Sequence, residues 1–256
     1  MEKNYIKEVN MSKKLQNAKS LYMEGIRDGN AREAITKYTG ARYTQHSTGV
    51  KDGVEGFVEF FEPFIERNPK RHIQIVRGFE DGQYVFVQAY QSLNDGEAKW
   101  VTADIFDTDE NDRIIEHWDV IQSYEENAAS GHSILDGATD IEDLEKTAEN
   151  KALITNFCET VLVGGQSDKM TDYIAIEEDA PSLKSLKASI AETTYVKTHR
   201  VIGQGNFVAA YNQTQLSGEY YAVLELFRIK DGKIVEHWDV QEKILPEEQW
   251  GNSGKF

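Results

Sequence analysis

The strongest constraint on this chain is a five-residue phrase that it carries twice. Glu116-His117-Trp118-Asp119-Val120 returns as Glu236-His237-Trp238-Asp239-Val240, each time closing an aromatic-rich alternating pattern. The match extends upstream, where Asp104-Ile105-Phe106 and Arg113-Ile114-Ile115 correspond to Glu225-Leu226-Phe227 and Lys233-Ile234-Val235 across a single gap. A period of this length is too long for a solenoid unit and long enough for a small domain with its own core. Two related domains are expected, residues 1–125 and 141–256. Residues 126–140, rich in Gly, Ala, Ser, Asn and acidic side chains and without clear periodicity, read as the linker.

Within the first copy the spacing changes from helical to alternating. Leu15, Ala18, Leu21, Tyr22 and Ile26 fall on one helical face, and Asn30 followed by Glu33 resembles a cap for a short helix ending near Tyr38. Phe57, Phe60, Phe61 and Phe64 form an aromatic stripe on a third helix, with Pro63 expected to bend it and Pro69 to follow its end. From there the period is two: Ile73 to Phe79, Tyr84 to Tyr90, Trp100 to Phe106 and Ile114 to Gln122 read as strands of an antiparallel meander. The second copy repeats this order, with helices near 145–163, 167–174 and 181–191 and strands near 195–203, 206–215, 219–229 and 233–243. The fold class is α+β, with three helices against one face of each curved sheet.

A net charge of −16 with no Lys/Arg cluster argues against nucleic acid and anionic membrane surfaces as partners. No apolar run reaches the roughly 18 residues of a membrane span, and Met1-Glu2-Lys3-Asn4-Tyr5 does not open a signal peptide, so a cytoplasmic protein is expected. The lone Cys158 reads as a buried, inert thiol.

The Tyr43-Thr44-Gln45-His46 element, the following Asp52-Gly53, the Asp104-Ile105-Phe106 strand and the closing repeated phrase resemble the SnoaL-like branch of the NTF2-like superfamily. The resemblance spans both copies. It implies two tandem cone-shaped α+β barrels, each with a mainly apolar cavity at its open mouth. It also implies the kind of chemistry SnoaL-like polyketide cyclases perform, an intramolecular aldol step without metal or cofactor. Other members of the superfamily isomerise or dehydrate, and some only bind or scaffold. Domains of this kind commonly pair by sheet faces, so the two copies are expected to pack on each other as a pseudo-dimer, with further homo-oligomerisation open.

Alternation along the repeated strand puts His117 and Asp119 on one face and Glu116, Trp118 and Val120 on the other. The resemblance implies that the first face lines the cavity, that Asp119 matches the cyclases' acid/base aspartate, and that Asp104 is a polar position of the preceding strand. A carboxylate in an apolar cone has its charged form disfavoured, which moves it toward proton transfer. The plainer reading is structural: Trp118 packs a core while His117 and Asp119 satisfy each other. His46, read in a loop at the cavity mouth, is expected to donate to a developing enolate oxygen, as is His117; alternatively His46 caps the neighbouring loop. Tyr43, Gln45, Phe57, Phe61, Tyr90 and Trp100 are expected to contact ligand.

His46, His117 and a carboxylate are a conceivable iron or zinc set, but they come from separate elements without tight spacing, so neither metal nor cofactor is expected. In the second copy, Glu225, His237 and Asp239 are expected to keep the base of a cavity. There, Ala175-Ile176 stand opposite Gln45-His46, and Glu177-Glu178-Asp179-Ala180-Pro181 replace Gly49-Val50-Lys51-Asp52-Gly53. The first copy is therefore expected to bind the small-molecule ligand better, whether as an enzyme or as a non-catalytic binding or protein-interaction module.

Overall fold

The computed structural model describes residues 12–126, 132–175 and 181–256. Helix α1 (Lys13–Ser20) runs into a π-helical turn, Leu21–Arg27, followed by α2 (Ala31–Tyr38), β1 (Thr39–Gln45) and α3 (Gly53–Arg67), which continues through Pro63. Strands β2 (Arg71–Asp81), β3 (Tyr84–Leu93), β4 (Ala98–Thr108) and β5 (Ile114–Ser123) form an antiparallel meander. β1 joins parallel to β5, giving the order β1-β5-β4-β3-β2. The element expected as a loop at Tyr43 to His46 is therefore largely strand, hidden in the sequence because Ala41 and Arg42 both face solvent and interrupt the alternation.

The second half has α4 (Thr147–Phe157) with a π turn at Cys158–Leu162, then α5 (Pro181–Glu192) and the meander β6 (Thr194–Gln204), β7 (Phe207–Leu216), β8 (Glu219–Lys230) and β9 (Lys233–Lys243). The helix expected at 167–174 is a 3-10 segment, Ser167–Asp172. Two of the hairpins turn on Ser217-Gly218 and Asp231-Gly232, where all four residues have positive φ. That pair of conformations matches the natural twist of the flanking strands. An isolated parallel bridge, Ile174 to Ile234, stands where β1 meets β5 in the first half. The altered loop at 176–180 lies outside the described residues.

Three buried clusters organise the described residues. One packs α1, the π turn, α2 and α3 onto the inner face of the first sheet through residues such as Ala18, Leu21, Ile35, Val85, Val87 and Phe106. Another does the same for the second sheet with Phe157, Val161, Leu186 and Phe227. The third draws side chains from both sheets, including Phe86, Ile105, Trp118 and Val120 from the first and Ala209, Leu224, Trp238 and Val240 from the second. Inner and outer faces are separated by strand alternation alone.

One arginine in each half escapes that alternation through a β-bulge. Ile73 and Ile75 face the helices, and the same parity would drive Arg77 into that apolar layer. The ladder shifts between Ile75 and Arg77, and Arg77 emerges on the outer face, its guanidinium 3.9 Å from the Trp238 ring. The second half shifts between Thr198 and Arg200, and Arg200 lies 3.8 Å from the Trp118 ring. A bulge re-aims a side chain by inserting one residue, and here it does so twice in reciprocal contacts. Arg77 also donates to Gln88 Oε1 and to the carbonyls of Ile134, Asp136 and Ala138. Residues 132–140, expected as plain linker, are thus fastened to the first sheet, while 127–131 lie outside the described residues. No described helix is long and apolar enough to cross a membrane.

Candidate functional site

Between α3, the π turn and the inner face of the first sheet lies a cavity of about 270 Å³. Its walls are aromatic: Phe57, Phe60, Phe61 and Phe64 of α3 stand opposite Trp100 and Phe106 of β4. The stripe predicted from the spacing on α3 is therefore cavity wall along its whole length. Gln45, Ser47, Gln91, Thr102, His117 and Asp119 supply the polar lining. A concave, mostly apolar space with a few convergent polar groups is the usual form of a small-molecule site.

The polar groups form a directed chain. Gln45 Nε2 donates to the Tyr43 hydroxyl (3.1 Å), and that hydroxyl lies 3.3 Å from His117 Nδ1. His117 Nε2 is 2.8 Å from Asp104 Oδ1, which accepts from it. These partners favour the tautomer with the proton on Nε2, leaving Nδ1 to accept from Tyr43. The Tyr22 hydroxyl donates to the same Asp104 oxygen at 2.8 Å. The His117 ring stacks on Phe106 with centroids 4.4 Å apart. Tyr22 comes from the π turn, which brings a helical phenol down to the sheet.

Asp104 and Asp119 are directly opposite in the β4–β5 ladder and project to the same face. Their surroundings push them apart. Burial raises the pKa of Asp104, whose hydrogen bonds from His117 and Tyr22 only partly offset it, and Asp104 Oδ2 is buried without a hydrogen-bond partner. Burial acts on Asp119 in the same sense, but the Lys255 ammonium, helped by His117, holds its carboxyl below the usual range, the reverse of the rise expected for a carboxylate in an apolar cone. Lys255 Nζ is 2.9 Å from Asp119 Oδ1. Two carboxylates held at different protonation tendencies are a common arrangement for acid/base work.

Of the residues expected at the site, Tyr43, Gln45, Phe57, Phe61, Trp100, His117 and Asp119 line the cavity, and Asp104 lies directly behind His117. His46 does not line it. Gln45 at the end of β1 faces the cavity, and His46 just beyond it lies outside, where its ring stacks on Trp118 (4.9 Å), with Nε2 2.9 Å from Glu116 Oε1 and Nδ1 2.6 Å from the Gly254 carbonyl. Tyr90 is also outside, because β3 presents Gln91 to the cavity and Tyr90 to the outer face, against Tyr124 at 5.0 Å. Glu225, His237 and Asp239 occupy the second half and take no part in this cavity; Asp239 borders a separate cleft with His132 and Gln122. Cys158 is buried, and burial pushes its thiol up, away from reactivity.

Sequence reasoning missed Lys255, Gln91 and the hydroxyl role of Tyr22. Parity on β3 would have found Gln91; Lys255 sits in a segment with no periodicity.

Asp104, His117 and Asp119 offer ligand atoms within 4.8 Å of one another. Asp104 Oδ1 and His117 Nε2 are engaged with each other, however, and an ammonium already neutralises Asp119. That donor set suits proton transfer better than a second cation.

Comparison with protein-family models and with curated protein sequences gives no match. Several solved structures are similar to part of this chain. A candidate SnoaL-like polyketide cyclase from Jannaschia sp. is 18% identical, covering 43% of this chain and 85% of its own, with a TM-score of 0.37. A candidate polyketide cyclase from Acidithiobacillus ferrooxidans is 22% identical, covering 44% of this chain and 90% of its own, with a TM-score of 0.39. One from Bacillus cereus is 18% identical over 43% of this chain and 74% of its own, with a TM-score of 0.38.

Proposed function

We propose that the chain consists of two SnoaL-like units of the NTF2-like kind, at 1–125 and 141–256, paired through their outer sheet faces. The first unit binds a small apolar or aromatic carbonyl compound and moves a proton with Asp119. The repeated phrase, the equivalent bulges and the reciprocal Arg–Trp contacts support the pairing. The observation that carries the chemistry is Asp119: a carboxylate held ionised at the polar end of an aromatic-walled cavity. In the step envisaged, Asp119 takes the proton from a carbon beside the substrate carbonyl, and the C–H electron pair becomes that of an enolate. Protonated Asp119 then returns the proton to carbon or oxygen. Aldol-type cyclisation, isomerisation and hydration all share this exchange.

His46 cannot serve as the oxyanion donor from where it lies, and both ring nitrogens of His117 are occupied. The Gln91 amide, on the cavity wall, takes that role here. The same saturation of His117 favours the second reading, a module that binds the carbonyl compound without transforming it.

The test is α-proton exchange of cyclohexanone and 2-tetralone in D₂O, followed by proton NMR alongside ligand-observed binding. Accelerated exchange that Asp119→Asn removes while binding persists supports the enzyme. Binding without exchange supports the module, and neither binding nor exchange across such ketones sinks the ligand class.

A further inference from the structure

The segment after β9 leaves the second sheet and returns to the first sheet's site. Gly251 N–H donates to the Thr48 carbonyl at 2.8 Å, and Asn252 Nδ2 donates to the carbonyls of Ser47 (2.6 Å) and Val50 (2.8 Å). The loop it clips includes Ser47 and Val50, both in the cavity wall. Gly254 holds φ at 99°, and a Cβ there would meet the Trp250 ring at 2.4 Å, so only glycine fits this turn. Its carbonyl faces His46, whose ring is braced by Glu116 and Trp118. Beyond it, the Lys255 carbonyl accepts from the Tyr211 hydroxyl at 2.7 Å, and Phe256 stacks on His199 at 3.9 Å.

Between these anchors the Lys255 side chain is only 1% exposed. Its ammonium has three protons and meets three acceptors: the Asp119 carbonyl at 2.9 Å, Asp119 Oδ1 at 2.9 Å and Glu242 Oε2 at 2.7 Å. Taking an ammonium out of water is costly unless every donor is satisfied and the charge is matched. Exposed lysines of this chain form ion pairs without such burial, as Lys51 does with Glu59. Lys255 does not line the cavity, whereas the Asp119 it grips does.

We infer that Lys255 is a positioning residue for the first sheet's site: carried by a segment of the second half, it clamps Asp119 so that the carboxylate faces the cavity as a proton acceptor. This rests on the proposed role of Asp119. It gives the second half a part in the first half's chemistry, and it gives His46 a function as anchor of the segment that delivers the lysine. Other charged or titratable groups facing Asp119 are His117 and Asp104 from β5 and β4, Tyr43 from β1, Tyr22 from the π turn, Tyr211 from β7 and Glu242 from β9. Among these and Lys255, only Lys255 and protonated His117 bring positive charge.

The measurement is the titration of the Asp119 side-chain carboxyl by carbon NMR in the full chain. In Lys255→Met the midpoint should rise by about one pH unit or more, and Lys255→Arg should restore most of it. Should Lys255→Met fail to fold, Asn252→Ala keeps the lysine but loosens its segment and should give a smaller shift of the same sign. An unchanged midpoint in a folded variant overturns the inference. Loss of ketone exchange in Asp119→Asn judges the acid/base reading separately, so each can fail alone. With both intact, Lys255→Met should move the acid limb of the exchange-rate profile to higher pH, which a merely structural tie would leave in place.

Discussion

The two halves place a carboxylate, a phenylalanine, a histidine and an aspartate at matching ladder positions and surround them differently. Asp104 opposes Asp119, and Glu225 opposes Asp239; Phe106 opposes His117, and Phe227 opposes His237. In the first half His117 is engaged on both ring nitrogens, and Asp119 has a lysine. In the second, Glu225 accepts instead from Tyr195 (2.6 Å) and Asn212 (2.8 Å), and both ring nitrogens of His237 are buried without a hydrogen-bond partner. No lysine is among the groups acting on Asp239, and burial raises its carboxyl. The lesson is that a repeated strand phrase fixes where the side chains stand, while the segments packed against it decide which can do chemistry.

The sharpest way to break this comparison is to amidate each aspartate. Asp119→Asn should cut ketone exchange by about 10² to 10⁴ fold, the span typical of a lost general base, while Asp239→Asn leaves the rate nearly unchanged. If Asp239→Asn removed the exchange and Asp119→Asn did not, the working half would be the second.

The next effect is on stability. Truncating one partner of a buried ion pair strands the other charge, so Lys255→Met should lower the unfolding free energy by about 3–5 kcal/mol, read from urea melts. Lys243→Met, which removes an exposed pair with Glu219, should scarcely move the midpoint. Equal losses in the two variants would mean that Lys255 is no more than a surface tie.

The same aspartates should respond to pH with opposite signs. The folded carboxyl of Asp119 is depressed, so its contribution to stability is present above the ordinary carboxylate range and lost as pH falls through the folded value. The folded carboxyl of Asp239 is raised, so its contribution is present at acid pH and lost as pH rises through that value. Asp119→Asn should therefore destabilise at neutral pH by about 3 kcal/mol, less at pH 3, because Lys255 is left with Glu242 alone. Asp239→Asn should stabilise at neutral pH by about 1 kcal/mol, with the gain fading on acidification. Urea melts at pH 7 and pH 3 check both signs. A carboxylate that served chemistry alone could be amidated without such a cost; the lysine makes Asp119 serve both.

Much of this was legible in the residues. Period-two alternation located β2 to β9 and assigned His117 and Asp119 to one face, because successive strand residues point to opposite faces of a sheet. The aromatic spacing of α3 survived as the cavity wall. What failed did so where alternation was misapplied or broken. Gln45 ends β1 and His46 follows it directly with its side chain on the other side, yet both were expected in the cavity. Tyr90 has the parity of Phe86 and Gln88, which face outward, and so could not join Gln91. The bulges before Arg77 and Arg200 add one residue that no composition marks. Lys255 had no local signal, because its partners lie across the sheet at Asp119 and along β9 at Glu242.

The smallest expected effect sharpens the comparison at the contact between the sheets. Arg77 and Arg200 occupy equivalent places after equivalent bulges, and each guanidinium lies over a tryptophan ring of the other half, at 3.9 and 3.8 Å. Among the described residues, Arg77 is also wrapped in the carbonyls of residues 134, 136 and 138, in addition to Gln88. Lysine keeps the charge but loses the planar fork, so the substitution separates ring stacking from bidentate donation. Arg200→Lys should cost about 0.5–1 kcal/mol, the worth of a cation–π contact at a partly exposed site. Arg77→Lys should cost more, about 2 kcal/mol, because buried carbonyls lose donors as well. The order of the two urea midpoints decides the matter: equal losses would show that the stacked ring, common to both halves, carries the whole contact, and a larger loss at Arg77 would show that residues 132–140 are part of what holds the sheets together.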